Sequence, residues 1–255
     1  MSILTYLEVL VFFSFIQWDE FLLVEEHFDY AEGLSINGRN GGSGWKSAWE
    51  NNRTGDALIA TNMLGMLSGL TASGNCAKMY AAGANTTSQY TRRTFASNCV
   101  DTAGMAYWFA LKSLTGGYFK SDQTLYLRQG TTNDIPLLAF KSMGAYTAFP
   151  TGAAPVSWTT NGTQLVLFKI EMGGLGVGET VSLYTSPDMT QPSSVWIPRA
   201  TATLALEGGF DGIAIKSAAN ATSVTLYYID EIRLALTWQE AVGKKKTTGT
   251  LLLMM

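Results

Sequence analysis

The sequence predicts an all-β domain, a sandwich or a barrel, and three observations carry that expectation. The middle of the chain breaks into roughly a dozen short strand-like runs separated by Gly, Asn and Pro turns. Charged residues make up only 15% of a chain with 26 glycines, against about 25% in an ordinary globular protein, and long Glu/Lys/Ala/Leu helical patterns are missing. Finally, Ser223–Trp238 is the longest strand signal and lies close to the C-terminus. Its natural partner is the early run Phe21–Tyr30, because pairing the first and last strands would close the domain.

At 255 residues the chain fits one large β domain, 21–242, that can bury roughly three quarters of its unfolded surface. The net charge is −3 and the only basic run is Lys244–Lys246, which argues against a nucleic-acid partner.

The chain opens with an apolar stretch, 1–20, densest from Val9 to Ile16. It has no Lys/Arg n-region and no small-x-small cleavage site, and it is short and interrupted for a membrane span. It reads as an assembly arm, lent to a neighbouring copy or packed on its own domain, or as an atypical signal. Phe28–Glu50 follows, with a Gly/Asn-rich tight loop at 37–44 and Trp45 and Trp49 four residues apart.

Strands are expected at 57–61, 77–82, 89–96, 104–112, 124–129, 136–141, 164–172, 180–185, 200–206, 212–216 and 223–237. Cys76 and Cys99 are equidistant from a turn near Thr87 in what reads as one hairpin, so their sulfurs could meet in a disulfide. A bridge there would contribute roughly 3 kcal/mol and imply an oxidising compartment; the alternative is a pair of buried reduced thiols. Asn52, Asn85, Asn161 and Asn220 stand in Asn-x-Thr sequons that can accept glycans in a suitable host. The tail, 243–255, ends in LLLMM and is the second apolar extension.

The runs FDYAEG, NGRNGGSGW and AW near the start, with YIDEIRLALTW near the end, resemble bacterial extracellular laminin-G-like domains of the concanavalin A-like lectin/glucanase superfamily. The resemblance covers roughly 22–242 and implies a jelly-roll β-sandwich without implying a defined ligand. It also leaves calcium open as a cofactor. Asp29 and Asp230 are the ligand candidates, with Asp211 and Glu231 of the right type, because calcium takes hard oxygen donors. Retaining glycanases of that superfamily set their carboxylates at alternate positions of one strand, as in E-x-D-x-x-E, and that pattern is absent here.

The rest of the chemistry is sparse. His27 is the only histidine and sits in the first core strand, where a structural role is expected. Asp230 and Glu231 are adjacent, so an ideal strand sends them to opposite faces. GGLGVGE at 173–179 lacks the ending of a phosphate loop and reads as a turn. Trp158 and Trp196, near Pro-containing loops, are the candidates for stacking on a sugar ring, whereas Trp108 is expected in the core.

These features favour a non-catalytic extracellular or cell-surface protein that self-assembles into a filament or layer through its terminal extensions, its partners being copies of itself. A glycan-binding or adhesive module is the alternative, and a glycoside hydrolase the third reading.

Overall fold

The computed structural model describes residues 22–51, 57–61, 74–81, 89–115, 123–130, 133–141, 145–148, 157–159, 162–206, 208–217 and 225–243. Its strands in chain order are β1 (Leu22–Glu26), β2 (Glu50–Asn51), β3 (Ala57–Ala60), β4 (Cys76–Ala81) and β5 (Gln89–Cys99). Then come β6 (Ala106–Thr115), β7 (Gln123–Gln129), β8 (Asn133–Lys141), β9 (Ala145–Ala148) and β10 (Ser157–Thr159). The last are β11 (Gly162–Glu171), β12 (Glu179–Thr185), β13 (Ala200–Leu204), β14 (Phe210–Ser217) and β15 (Thr225–Ala235), followed by a one-turn helix α1 (Trp238–Ala241).

Two antiparallel sheets form a sandwich. One has eight strands in the order β13-β12-β11-β6-β15-β4-β3, with β1 also on β15; the other has seven, in the order β10-β9-β8-β7-β14-β5-β2. Alternation along each strand sends one set of side chains to the shared interior. Ile229, Ile232 and Leu234 of β15, Phe109 and Leu111 of β6 and Phe168 of β11 meet Phe95 of β5, Leu125 of β7 and Ile213 of β14 there. The first and last strands pair as expected, with Val24 opposite Leu234 and Glu26 opposite Ile232.

β1 and β4 share one edge of β15 in succession. β4 pairs with Thr225–Ile229, β1 takes over from Ile232, and the register slips between Asp230 and Arg233. Glu231 at the slip has φ 53°. The bulge corrects the expectation of opposite faces for Asp230 and Glu231. Ile229 and Ile232 both point into the core, so the extra residue between them leaves both carboxylates on the outer side of the sheet.

The disulfide expectation is also overturned: Cys76 and Cys99 are both buried and free. The segment between them is not a hairpin. β4 pairs with β3 and β15 in the larger sheet, while β5 pairs with β2 and β14 in the smaller. The chain crosses between layers, which leaves Cys99 in the core and Cys76 beside Tyr228 and Ala60. The Cys76 thiol donates to the Thr61 carbonyl at 3.4 Å.

Part of the outer face of the larger sheet is covered by its own chain. Met189, Trp196, Trp238, Ala241 and Val242 pack over Trp108, Ala110, Leu165, Leu167 and Tyr184. Thr237 caps α1 by accepting from the Glu240 amide. Among the described residues no helix is long and apolar enough to cross a membrane.

Candidate functional site

The motif residues near the N-terminus build an internal knot. Glu26 on β1 and Arg93 on β5 reach each other across the sandwich, each 1% exposed. One Glu26 oxygen accepts from the Phe28 amide at 2.8 Å. The other accepts from Arg93 Nη1, from the Tyr30 hydroxyl at 3.0 Å and from Trp49 Nε1 at 3.0 Å. Arg93 also donates to the Ser47 carbonyl, the Asn40 side chain and the Gly41 carbonyl. Its guanidinium lies 4.4 Å from the Trp45 ring centroid, a cation–π contact. Burial pulls the Arg93 pKa down and pushes the Tyr30 phenol up to about 12. A buried, fully paired network of this kind holds the 37–49 loop in place and offers no opening to a substrate.

The loop itself needs glycine. Ser43 and Glu25 exchange amide–carbonyl bonds at 3.0 Å, which brings Gly42 and Gly44, both at positive φ, onto the Glu25 and Leu23 carbonyls where a Cβ would collide.

A second polar cluster lies at the β15 bulge. His27 Nδ1 is 2.9 Å from Glu231 and its Nε2 3.3 Å from Glu25, while Arg233 contacts Glu231 at 3.3 Å. The hydrogen bond to Glu231 raises the His27 pKa to about 8. Asp230, opposite Lys112 in register, is fully buried and one of its oxygens lacks a hydrogen-bond partner. Burial, then repulsion from Glu231, raises its pKa to about 7. Burial likewise lowers the Lys112 pKa.

The outer face of the seven-stranded sheet is different. Ile213 and Ile215 of β14 point inward, so Ala214 and Lys216 point outward. Ala214 lies between Arg92 of β5 and Tyr126 of β7, and Lys216 between Tyr90 and Thr124. Gly212 continues the row between Thr94 and Arg128. Gly212 and Ala214 are themselves buried, so the surface this face presents is made by Tyr90, Arg92, Tyr126 and Lys216. Lys216 Nζ stands 5.0 Å from the Tyr90 ring centroid, and its hydrogen bond to Tyr90 raises its pKa. Arg92 is fixed by Glu50 at 2.9 Å and Arg128 by Asp134 at 3.2 Å. Sequence reading missed this face, although the signal was there: β5 and β7 put Tyr and Arg at alternate positions while β14 puts Gly and Ala at its own.

On the opposite sheet a cavity of about 290 Å³ is lined by Tyr184, Thr185, Pro187, Asp188, Gln191 and Arg199 together with Val195, Trp196 and Ile197. Trp196 is wedged edge-on among Trp238, Tyr184 and Trp108, with ring centroids 4.8, 5.8 and 6.2 Å away. Its Nε1 donates to the Asp188 carbonyl at 2.9 Å.

Among the described sequence candidates, Trp196 lines this cavity. Trp158 lies in β10, but its side chain is outside the described residues. So are Asn52, Asn85, Asn161 and Asn220, and the extensions 1–20 and 244–255. Asp29 is exposed and lies against Gly74, whereas the charges acting on Asp230 come from Glu231, Lys112 and His27. Among the described residues no group of three or more His, Cys, Asp or Glu is placed to hold a metal ion.

No family model matches the chain, and no curated protein matches it. Solved structures do. The globular domain of T. cruzi calreticulin superposes with a TM-score of 0.51 at 7% identity, over 87% of this chain and 90% of that one. Domain 4 of AbnA, a GH43 extracellular arabinanase from Geobacillus stearothermophilus in complex with arabinotriose, gives 0.47 at 14% identity over 88% and 97%. A GH131 β-glucanase catalytic domain from Podospora anserina gives 0.44 at 8% over 81% and 85%. At such identities the likeness speaks to the fold: the chain is a β-sandwich of the calreticulin globular-domain type.

Proposed function

We propose that this chain is a non-catalytic glycan-binding module, laminin-G-like in its extracellular or cell-surface setting, with its ligand seated on the outer face of the seven-stranded sheet. The observation that carries the reading is the grouping of Tyr90, Arg92, Tyr126 and Lys216 on neighbouring strands of that face. A saccharide offers apolar C–H faces and a rim of hydroxyls. Tyrosine rings cover the first, while guanidinium, ammonium and carboxylate groups bond the second. Arg92 and Arg128 are held by Glu50 and Asp134, which limits the rotamer freedom lost on binding.

The non-catalytic part rests on the sequence, which lacks the alternate carboxylates, as in E-x-D-x-x-E, that retaining glycanases place on one strand.

The test is binding of the purified protein to a broad glycan array, repeated with Tyr126→Ala and Lys216→Ala. The expected result is a saccharide hit weakened about tenfold or more in both variants at unchanged melting temperature. An array without a hit overturns the reading.

A second reading, self-assembly into a filament or layer, is favoured by one apolar rim. Leu175 is 92% exposed, Val177 60% and Val100 49%, and the two loops carrying them are joined by the Gly174 amide on Asp101. Light scattering after size exclusion checks it. Multimers that dissociate in Leu175→Asp or on deletion of 1–20 support assembly, and a monomer at every concentration ends it.

A further inference from the structure

We infer that the cavity at Trp196 is a second saccharide site, shaped for a single neutral sugar ring, so that the module presents two sugar-binding surfaces on opposite sheets. The inference shares its ligand class with the function proposed above and rests on that reading, but its observations are independent.

Size comes first. At about 290 Å³ the cavity is at the small end of ligand pockets, which begin near 300 Å³, so it takes one ring rather than a chain. Lining comes second. Tyr184 and Trp196 supply aromatic surface, Pro187, Val195 and Ile197 apolar surface, and Thr185, Asp188, Gln191 and Arg199 hydrogen-bonding groups. One carboxylate and one guanidinium balance, which suits a neutral polyol better than an anion or a cation.

Third, the walls are fixed before any ligand arrives. Trp196 is held by three aromatic neighbours and the Asp188 carbonyl. Arg199 Nε donates to Thr185 at 3.2 Å. Asp188 accepts from the Thr190 amide and hydroxyl at 3.0 and 2.6 Å. Side chains already ordered lose little entropy when a ligand binds. Fourth, Ile197 is 88% exposed and Val195 58%, so the mouth carries apolar surface that a sugar's C–H face would cover.

The two surfaces belong to different sheets and face away from each other. One molecule can therefore bridge two glycan chains, gaining avidity without further contacts.

The experiment is ¹H–¹⁵N NMR of the full chain titrated with methyl α- and β-pyranosides of glucose, galactose, mannose and N-acetylglucosamine, to well above the millimolar Kd expected for one ring. At least one glycoside should shift the Gln191 side-chain amide and the Trp196 indole. The double variant Gln191→Ala/Arg199→Ala, altered only at exposed positions, should weaken that response about tenfold or more, while Tyr126→Ala leaves it intact. Shifts confined to the Tyr126 face overturn the second site and leave the proposed function standing. Shifts confined to the cavity do the reverse, and silence at both removes both. Shifts caused by a proline-rich peptide and by no glycoside overturn the inference in favour of peptide docking.

Discussion

Glu26 and Arg93 join the two sheets through the middle of the sandwich: each is 1% exposed, and the Arg93 guanidinium donates to the Glu26 carboxylate. Because Tyr30 and Trp49 donate to the same oxygen, the pair also fixes the loop between β1 and β2. Arg93→Met should destabilise the protein by about 3–5 kcal/mol, since it leaves a buried charge unpaired. The double variant Glu26→Gln/Arg93→Met should cost clearly less than the sum of the two single changes. Urea denaturation of the four proteins measures this, and strict additivity would show that the two groups do not act as a pair.

The bulge cluster should make stability fall as pH rises. The Asp230 pKa is raised from 3.8 to about 7, so its contribution is complete below pH 3.8 and is lost through pH 7. The His27 pKa is raised from 6.5 to about 8, so its contribution is complete below 6.5 and is lost through 8. Each group can add a slope of at most about 1.4 kcal/mol per pH unit. Asp230→Asn should flatten the profile between pH 4 and 7 and leave the fall between 6.5 and 8. Melting curves from pH 4 to 8.5 check this; an unchanged slope in the variant would clear Asp230 of any part in it.

Two glycines separate crowding from backbone strain. Gly38 has φ 77° and open space where a Cβ would go, so Gly38→Ala should cost about 1–2 kcal/mol. Gly44 has φ 76° and presses on the Leu23 carbonyl, so Gly44→Ala should cost more, about 3 kcal/mol or above. Equal effects by calorimetry would mean that the Leu23 contact is not what demands glycine there.

Both cysteines should behave as buried thiols. Burial pushes the Cys99 thiol up in pKa, and Cys76 is fully covered. A thiol reagent should label neither site in the native protein and both in denaturant, and reductant should leave the melting temperature unchanged. Labelling that needs prior reduction would restore a disulfide.

Much of the architecture could be read from residue order. The presence and approximate bounds of β7, β11 and β12, the start of β5 and the β1–β15 pairing follow from period-two patterns and turn residues, which are local signals. The short strands β2, β9 and β10, at 2, 4 and 3 residues, are too brief to show a period. Cys76 and Cys99 misled because equal spacing about a turn suggests a hairpin only if the chain stays in one layer, and nothing between them marks the crossing. Asp230 and Glu231 misled because strict alternation assumes no bulge. The register of β15 against β6 slips between Asp230 and Arg233 and breaks that alternation.

What the sequence determined alone is the class of fold: alternating apolar residues, glycine-rich turns and two terminal strands that match suffice to make a closed β-sandwich. Which residues meet was decided by the tertiary structure. The grouping of Tyr90, Arg92, Tyr126 and Lys216 draws on β5, β14 and β7, and the cavity at Trp196 on β12 and the loop after it. Such sites arise when strands distant in sequence become neighbours in a sheet, and register across a sheet is a property of the whole core rather than of any one segment.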